Sequence, residues 1–178
     1  MLLYRVSVQC TTQTCSLRRL LPSAALEMLV TSLVHSRFDY CNVVFASLPA
    51  CDIRRLQSVL NSSVRLVTGA RKYIHVTSLL RDHHWLLIAG RIEYKLSTLV
   101  FRCSQGNAPR YLTDHVVLTS PIGRRSSLRS ADTLTLEVLR TRLSFGDKAF
   151  SVADPRTWNS LSMHVRSAQS MYSFRKLF

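Results

Sequence analysis

From Asp52 to Gly69 the chain permits essentially one local structure. Ile53, Leu56, Val59, Leu60, Val64 and Val67 recur every three or four residues. That spacing lines one face of an α-helix, whereas in a strand it would scatter over both faces. Asp52 stands where a side-chain oxygen can take a free amide, and Gly69 where the backbone must turn left-handed to leave a helix. The opposite face reads Arg54, Gln57, Asn61, Arg65 and Thr68, all donors or amides. A helix with one apolar stripe is stable only when other elements cover that stripe.

Two further segments can supply the cover. Pro22 and Ser23 form a helix start, with Ser23 placed to cap, and Leu26, Leu29, Val30, Leu33 and Val34 follow at helical spacing. That face can continue through Cys41, Val44, Phe45 and Leu48, up to the break at Pro49. A third helix is expected from about Leu86 to Cys103, with Ile88, Ile92, Leu96, Leu99, Val100 and Cys103 inward. Arg91, Lys95 and Arg102 then face outward, and Gly106 and Pro109 end the helix. His84 and Trp85 read as the anchor of its start, with Trp85 in the core.

Outside these segments the texture changes. Residues 1–16 are rich in Thr, Gln and Cys, lack periodicity, and read as a disordered leader. Residues 17–106 hold the helical bundle, and 107–131 form a basic loop or linker around Arg124, Arg125 and Arg129. From 132 to 178 a small C-terminal α/β segment is expected. It begins with alternation over Thr133 to Leu143, turns at Phe145 to Lys148 and returns through Ala149 to Val152. Trp158 and Leu161 read as a short helix under those strands, and Ser170 to Phe178 as a terminal helix. The expected fold is mainly α: a three- to four-helix bundle followed by a small α/β or irregular C-terminal segment.

Charge narrows the function classes. Twenty-four Lys and Arg against ten Asp and Glu leave a net +14, and 20 of the 24 cations are Arg. The planar guanidinium pairs bidentately with phosphate and stacks on bases, so an Arg excess is the footprint of a polyanion partner. The competing reading is a composition set by GC-rich coding sequence. Five cysteines form no framework spacing, and nothing at the start resembles a secretory leader, so an intracellular chain, nuclear or cytoplasmic, with free thiols is expected. No stretch reads as a membrane span. Cys10 and Cys15 lack a second pair for zinc, and five Gly spread over 178 residues make no phosphate loop. No cofactor, metal or small-molecule substrate is expected.

A series of short motifs adds a resemblance. Leu33 to Asn42, Leu48-Pro49, Arg55 to Gln57, Arg65 to Gly69, His84 to Leu86, Arg91-Ile92, Gly106 to Pro109, Ser126 to Ser130, Gly146 to Ser151 and Trp158 to Leu161 stand in a characteristic order. In that order they resemble the C-terminal, post-palm region of reverse transcriptases from LINE-type (non-LTR, jockey-like) retrotransposons, over roughly Leu17 to Phe178. Departures from the pattern are Leu87 and Ser162 in place of Pro, Leu60 in place of Gln, and Asp154 in place of Ala. They are the changes of a drifting copy.

The resemblance implies a thumb and connection that grip a template–primer duplex through its backbone. The paired carboxylates that hold two metal ions in such polymerases have no counterpart, since no Asp-Asp occurs. Asp39 stands alone, expected to pair with a neighbouring Arg such as Arg37 while Tyr40 and Cys41 pack inward. The chain is therefore expected to be no enzyme. Its expected role is non-specific binding of RNA or RNA–DNA hybrid through Arg54, Arg65, Arg91, Lys95, Arg102, Arg124, Arg125 and Arg129. The alternative is a decayed transposon-derived reading frame or a helical protein-interaction module.

Overall fold

The computed structural model describes residues 2–40, 42–46, 48–117, 134–140, 142 and 149–178. The described residues are mainly helical. In order come α1 (Leu2–Leu17), α2 (Ser23–Val30), a π-helical turn (Thr31–His35), α3 (Ser36–Tyr40), α4 (Asn42–Phe45) and α5 (Ala50–Thr68). Then follow α6 (Val76–Asp82), α7 (Ile88–Ser104), α8 (Arg110–Thr113), α9 (Phe150–Ser160), α10 (Met163–Arg166) and α11 (Met171–Leu177). The chain divides into two compact units, Met1–Ile92 and Glu93–Phe178, with the division inside α7. The sequence reading divides it later, after residue 106. The earlier division arises because Val100 and Phe101 belong to the core of the second unit.

In the first unit α5 is the central helix and touches α1, α2 and α6. Its stripe is as expected, with Leu56, Val59, Leu60, Val64 and Val67 buried. It starts earlier than expected, at Ala50 after Pro49. Asp52 is therefore no cap but a first-turn acid, favourable to the helix dipole and paired with Arg55 at 3.2 Å. Gly69 ends α5 in the left-handed region at φ 73°, its amide donating to Arg65 O at 2.9 Å. The Arg18 guanidinium lies where any Cβ at position 69 would stand.

Residues 1–16 are not a disordered leader, because Leu2–Leu17 is a helix packed on α5. Its buried positions are Ser7, Cys10 and Thr14, at helical spacing but small and polar. The Thr11 and Thr14 hydroxyls donate back to the carbonyls of Ser7 and Cys10, so Thr14 is buried without loss of hydrogen bonding. Thr11 Oγ1 lies 3.5 Å from Ser63 Oγ of α5. With Thr11 beside Ser63 and Arg18 beside Gly69, the two helices run parallel.

The second segment is helical as expected, but Ser23 does not cap it. Pro22 occupies the cap position and no side chain bonds there. The π-helical turn then changes which residues face inward. Leu26, Val30, Val34 and Phe38 are buried at strict four-residue intervals, while Leu33 is 40% exposed. An ordinary α-helix rotates such a series by about 40° per step, and a wider turn removes much of that drift. Ser32 donates to Leu29 O at 3.1 Å, a side-chain-to-backbone bond of the kind that opens a helical turn. Tyr40, expected to pack, is exposed.

Helix α7 begins within two residues of expectation and is anchored by α5. Gln57 Oε1 accepts from Ile88 N at 2.9 Å, and Gln57 Nε2 donates to Asn61 Oδ1 at 2.8 Å. A side chain 31 residues away thus satisfies an amide the first turn of α7 would leave unpaired. Gln57→Leu should lower stability by roughly 1–2 kcal/mol, the usual cost of a lost cap. A shift in urea midpoint checks this, and a change under about 0.3 kcal/mol contradicts the anchoring role.

In the second unit Val100, Phe101, Leu136, Trp158, Val165 and Phe174 form one core. Phe174 stacks on Phe101 at 4.8 Å between ring centroids. The expected strands are not found among the described residues: residues 134–140 hold only an isolated bridge at Leu136, with Glu137 N donating to Val117 O at 3.0 Å, and Val152 lies within α9. Asn159 serves the backbone of Leu136. Its amide accepts from Leu136 N and donates to Leu136 O, both at 2.9 Å, while Trp158 Nε1 donates to Leu134 O at 2.9 Å. The terminal helix α11 is as expected, with Ser170 capping it by accepting from Ser173 N.

Candidate nucleic-acid interface

The eight expected contact residues do not behave alike. Arg54 is exposed on α5, its Nε donating to Ala50 O at 3.3 Å. Arg65 lies eleven residues on, which places it within about 20° of Arg54 around the helix and roughly 16 Å along it. Arg65 also has a structural role, donating to Lys72 O at 3.2 Å and Ile74 O at 3.3 Å. It thereby holds the 70–75 connection against the C-terminal end of α5. The guanidinium of Arg18 lies at that same end, where cations offset the partial negative charge of the helix terminus. Arg18 was not among the expected residues, because only the helical packing of α1 brings it to Gly69.

Lys95 and Arg102 belong to the second unit. Seven residues apart on α7, they share one side of the helix, roughly 10 Å from one another along its axis. Arg102 is exposed and Lys95 half-buried. Within the described residues no ion pair neutralises Arg54, Arg65, Lys95 or Arg102. Arg124, Arg125 and Arg129 lie outside the described residues.

Arg91 must be removed from the expected surface. Its side chain is only 13% exposed, and Nη1 donates to Asp39 Oδ1 at 3.0 Å. Asp39, expected beside Arg37, thus takes a partner 52 residues away. Arg91 Nη2 also lies 3.3 Å from His35 Nδ1, so the ring proton belongs on Nε2, which is buried without a partner. Burial first, then the Arg91 charge, pushes the His35 imidazole down to about 4, against the opposing pull of Asp39 and Glu27. His35 is therefore neutral at physiological pH.

This cluster also fixes Trp85. The indole meets the His35 ring edge-on at 4.2 Å and 73°, with His83 at 5.6 Å. His83 Nδ1 in turn lies 2.9 Å from Glu27 Oε1 of α2. Trp85 is half-buried, so its ring is positioned by polar neighbours without being enclosed. The sequence signal for this arrangement is the pair of histidines before Trp85, but nothing local marks His35 as the ring's support.

The end of α6 is unusual. Trp85 N donates to Leu80 O at 2.7 Å and His84 N to Arg81 O at 3.0 Å, the paired bonds of a Schellman helix end. The residue between is His84, left-handed at φ 55°. Helices α5 and α7 place Gly69 and Gly106 at the equivalent position. A side chain there costs about 1 kcal/mol relative to glycine.

Among the described residues no group of three or more His, Cys, Asp or Glu converges on a possible metal position, and no helix is long and apolar enough to cross a membrane. No family model, curated protein or solved structure matches the chain.

Proposed function

We propose that the chain is a fragment of a LINE-type retrotransposon reverse transcriptase, without the catalytic palm, that holds the backbone of RNA or an RNA–DNA hybrid inside the cell, in nucleus or cytoplasm. The ordered motifs support the origin. The observation that carries the binding role is charge without an ion pair: among the described residues, Arg54 and Arg65 on one side of α5, and Lys95 and Arg102 on one side of α7, pair with no carboxylate. Cations that the fold does not neutralise recruit anions from solution, and a backbone with regularly spaced phosphates suits two cations along one helix side. The role is one of binding, with no chemical step assigned to any residue.

Such binding is sequence-independent and releases counterions, so its logarithm falls linearly with that of salt concentration. Fluorescence anisotropy with a labelled hybrid duplex should show binding at about 50 mM salt and a steep loss by about 200 mM. Arg54→Ala and Arg102→Ala should each reduce the salt slope by about one. No binding at the lower salt, or binding indifferent to salt, overturns the reading. The competing interpretation, a decayed reading frame, predicts a broad non-cooperative melt, whereas two cores of buried apolar side chains predict a cooperative one.

A further inference from the structure

An open pocket of about 500 Å³ lies in the first unit, beside the end of α6 and the start of α7. Leu80, Trp85, Leu87 and the backbone of Gly90 supply apolar walls, and Arg81 and His84 supply nitrogen-bearing side chains. Among the described residues no acidic one lines it. Its volume falls within the range of small-ligand sites, and its composition has the form of such sites: apolar walls with a few convergent polar groups.

The second observation is His84 itself. A helix end of this geometry is best closed by glycine, as at Gly69 and Gly106. At position 84 the chain keeps an exposed imidazole in a strained backbone, and that side chain lines the pocket. Non-glycine residues held in this conformation cluster at active sites and ligand clamps. Trp85, the next residue, is held by His35 and thus presents a pre-positioned ring in the same cavity wall.

We propose that this pocket takes a single unpaired nucleotide, its base against Trp85 and the leucines and its phosphate at Arg81 and His84. The ligand must combine a flat, largely apolar body with negative charge, and a nucleobase carrying its phosphate does so. The choice among such ligands rests on the nucleic-acid reading above. A single-stranded end or an extruded base would therefore add to the backbone contacts, in the way that aromatic platforms hold unpaired bases.

The chain has two tryptophans, hence two indole N–H resonances, which Trp85→Phe assigns. Titration of the full chain with uridine 5′-monophosphate should shift the Trp85 resonance and leave that of Trp158, whose Nε1 is bonded to Leu134 O. Uridine without phosphate should bind at least about fivefold more weakly, as should the nucleotide to a pocket filled by Gly90→Leu. A Cβ at position 90 meets nothing within 4 Å, so the new side chain starts into open space beside the pocket, and an unchanged melting temperature checks that the fold is kept. His84→Gly should weaken the nucleotide while raising the melting temperature by roughly 2–6 °C.

If His84→Gly raises the melting temperature and leaves nucleotide binding intact, the role given to His84 is wrong. If the nucleotide moves neither indole while an acidic aromatic peptide moves that of Trp85, the pocket is a peptide site and the proposal fails. Hybrid-duplex binding that persists without any nucleotide effect overturns the pocket alone. Loss of both overturns the backbone reading as well.

Discussion

Asp154→Ala should stabilise the protein at pH 7 by roughly 2–4 kcal/mol and by almost nothing at pH 4. Asp154 is fully buried in α9, and neither carboxyl oxygen has a hydrogen-bond partner. Burial alone pushes its carboxyl from 3.8 up to about 8. The Cys103 thiol is also pushed up, first by burial and then by the Asp154 carboxyl. Well below pH 3.8 the carboxyl is protonated in both folded and unfolded chains, so it imposes no pH-dependent penalty. Between about 4 and 8 the unfolded chain releases its proton and the folded one retains it. Folding then loses about 1.4 kcal/mol per pH unit from this group. Above about 8 both states are ionised and the loss levels off. Alanine removes the titration and favours the helix. Urea unfolding from pH 4 to 9 checks the sign: the native protein should weaken with rising pH and the variant far less. A variant that is less stable at pH 7, or a native profile flat from 4 to 8, contradicts the assignment.

Asn159→Ala should cost roughly 2–4 kcal/mol, from two lost hydrogen bonds and two backbone groups left unpaired. Leu136 is 4% exposed and sits in the core with Trp158 and Phe174, so water does not readily replace the amide. Asn159→Asp separates the two bonds. A carboxylate still accepts from Leu136 N but presents a second oxygen to Leu136 O, where the native amide donates. It should therefore recover little of the loss. The measurements are the urea midpoint and amide exchange at Leu136, which should accelerate in both variants. Exchange unchanged from the native protein, with a midpoint shift under about 1 kcal/mol, would show that the segment around Leu136 is held by packing alone.

The helices with wide apolar stripes were legible without coordinates. In α5 and α7, Leu56, Leu60, Val64, Ile88, Ile92, Leu96 and Val100 are large, regularly spaced and buried as expected. Helix α1 was not legible, because its packed face is Ser7, Cys10 and Thr14. Small side chains such as these, with the Thr14 hydroxyl bonded to its own helix, leave no hydrophobic periodicity to detect. The alternation after Thr133 belongs to a non-helical segment, but at Leu136 a side chain, Asn159, supplies the hydrogen bonds, and a side-chain amide cannot be told from a strand edge by pattern.

The basic surface divides in the same way. Arg54, Lys95 and Arg102 follow from helical spacing, since an angle around a helix is a local property. Arg91, four residues before Lys95 and expected outward with it, has a different fate, because Asp39 and His35 approach it from 52 and 56 residues away. Local sequence therefore determined where the large-residue helices run and which way their faces point. Tertiary structure alone decided which arginine is neutralised, which carboxyl is stranded in the dark of a core, and which indole is held ready. Those outcomes depend on distances between chain-remote groups, and electrostatic and hydrogen-bond energies at a few ångströms are set by such distances, not by neighbours in sequence.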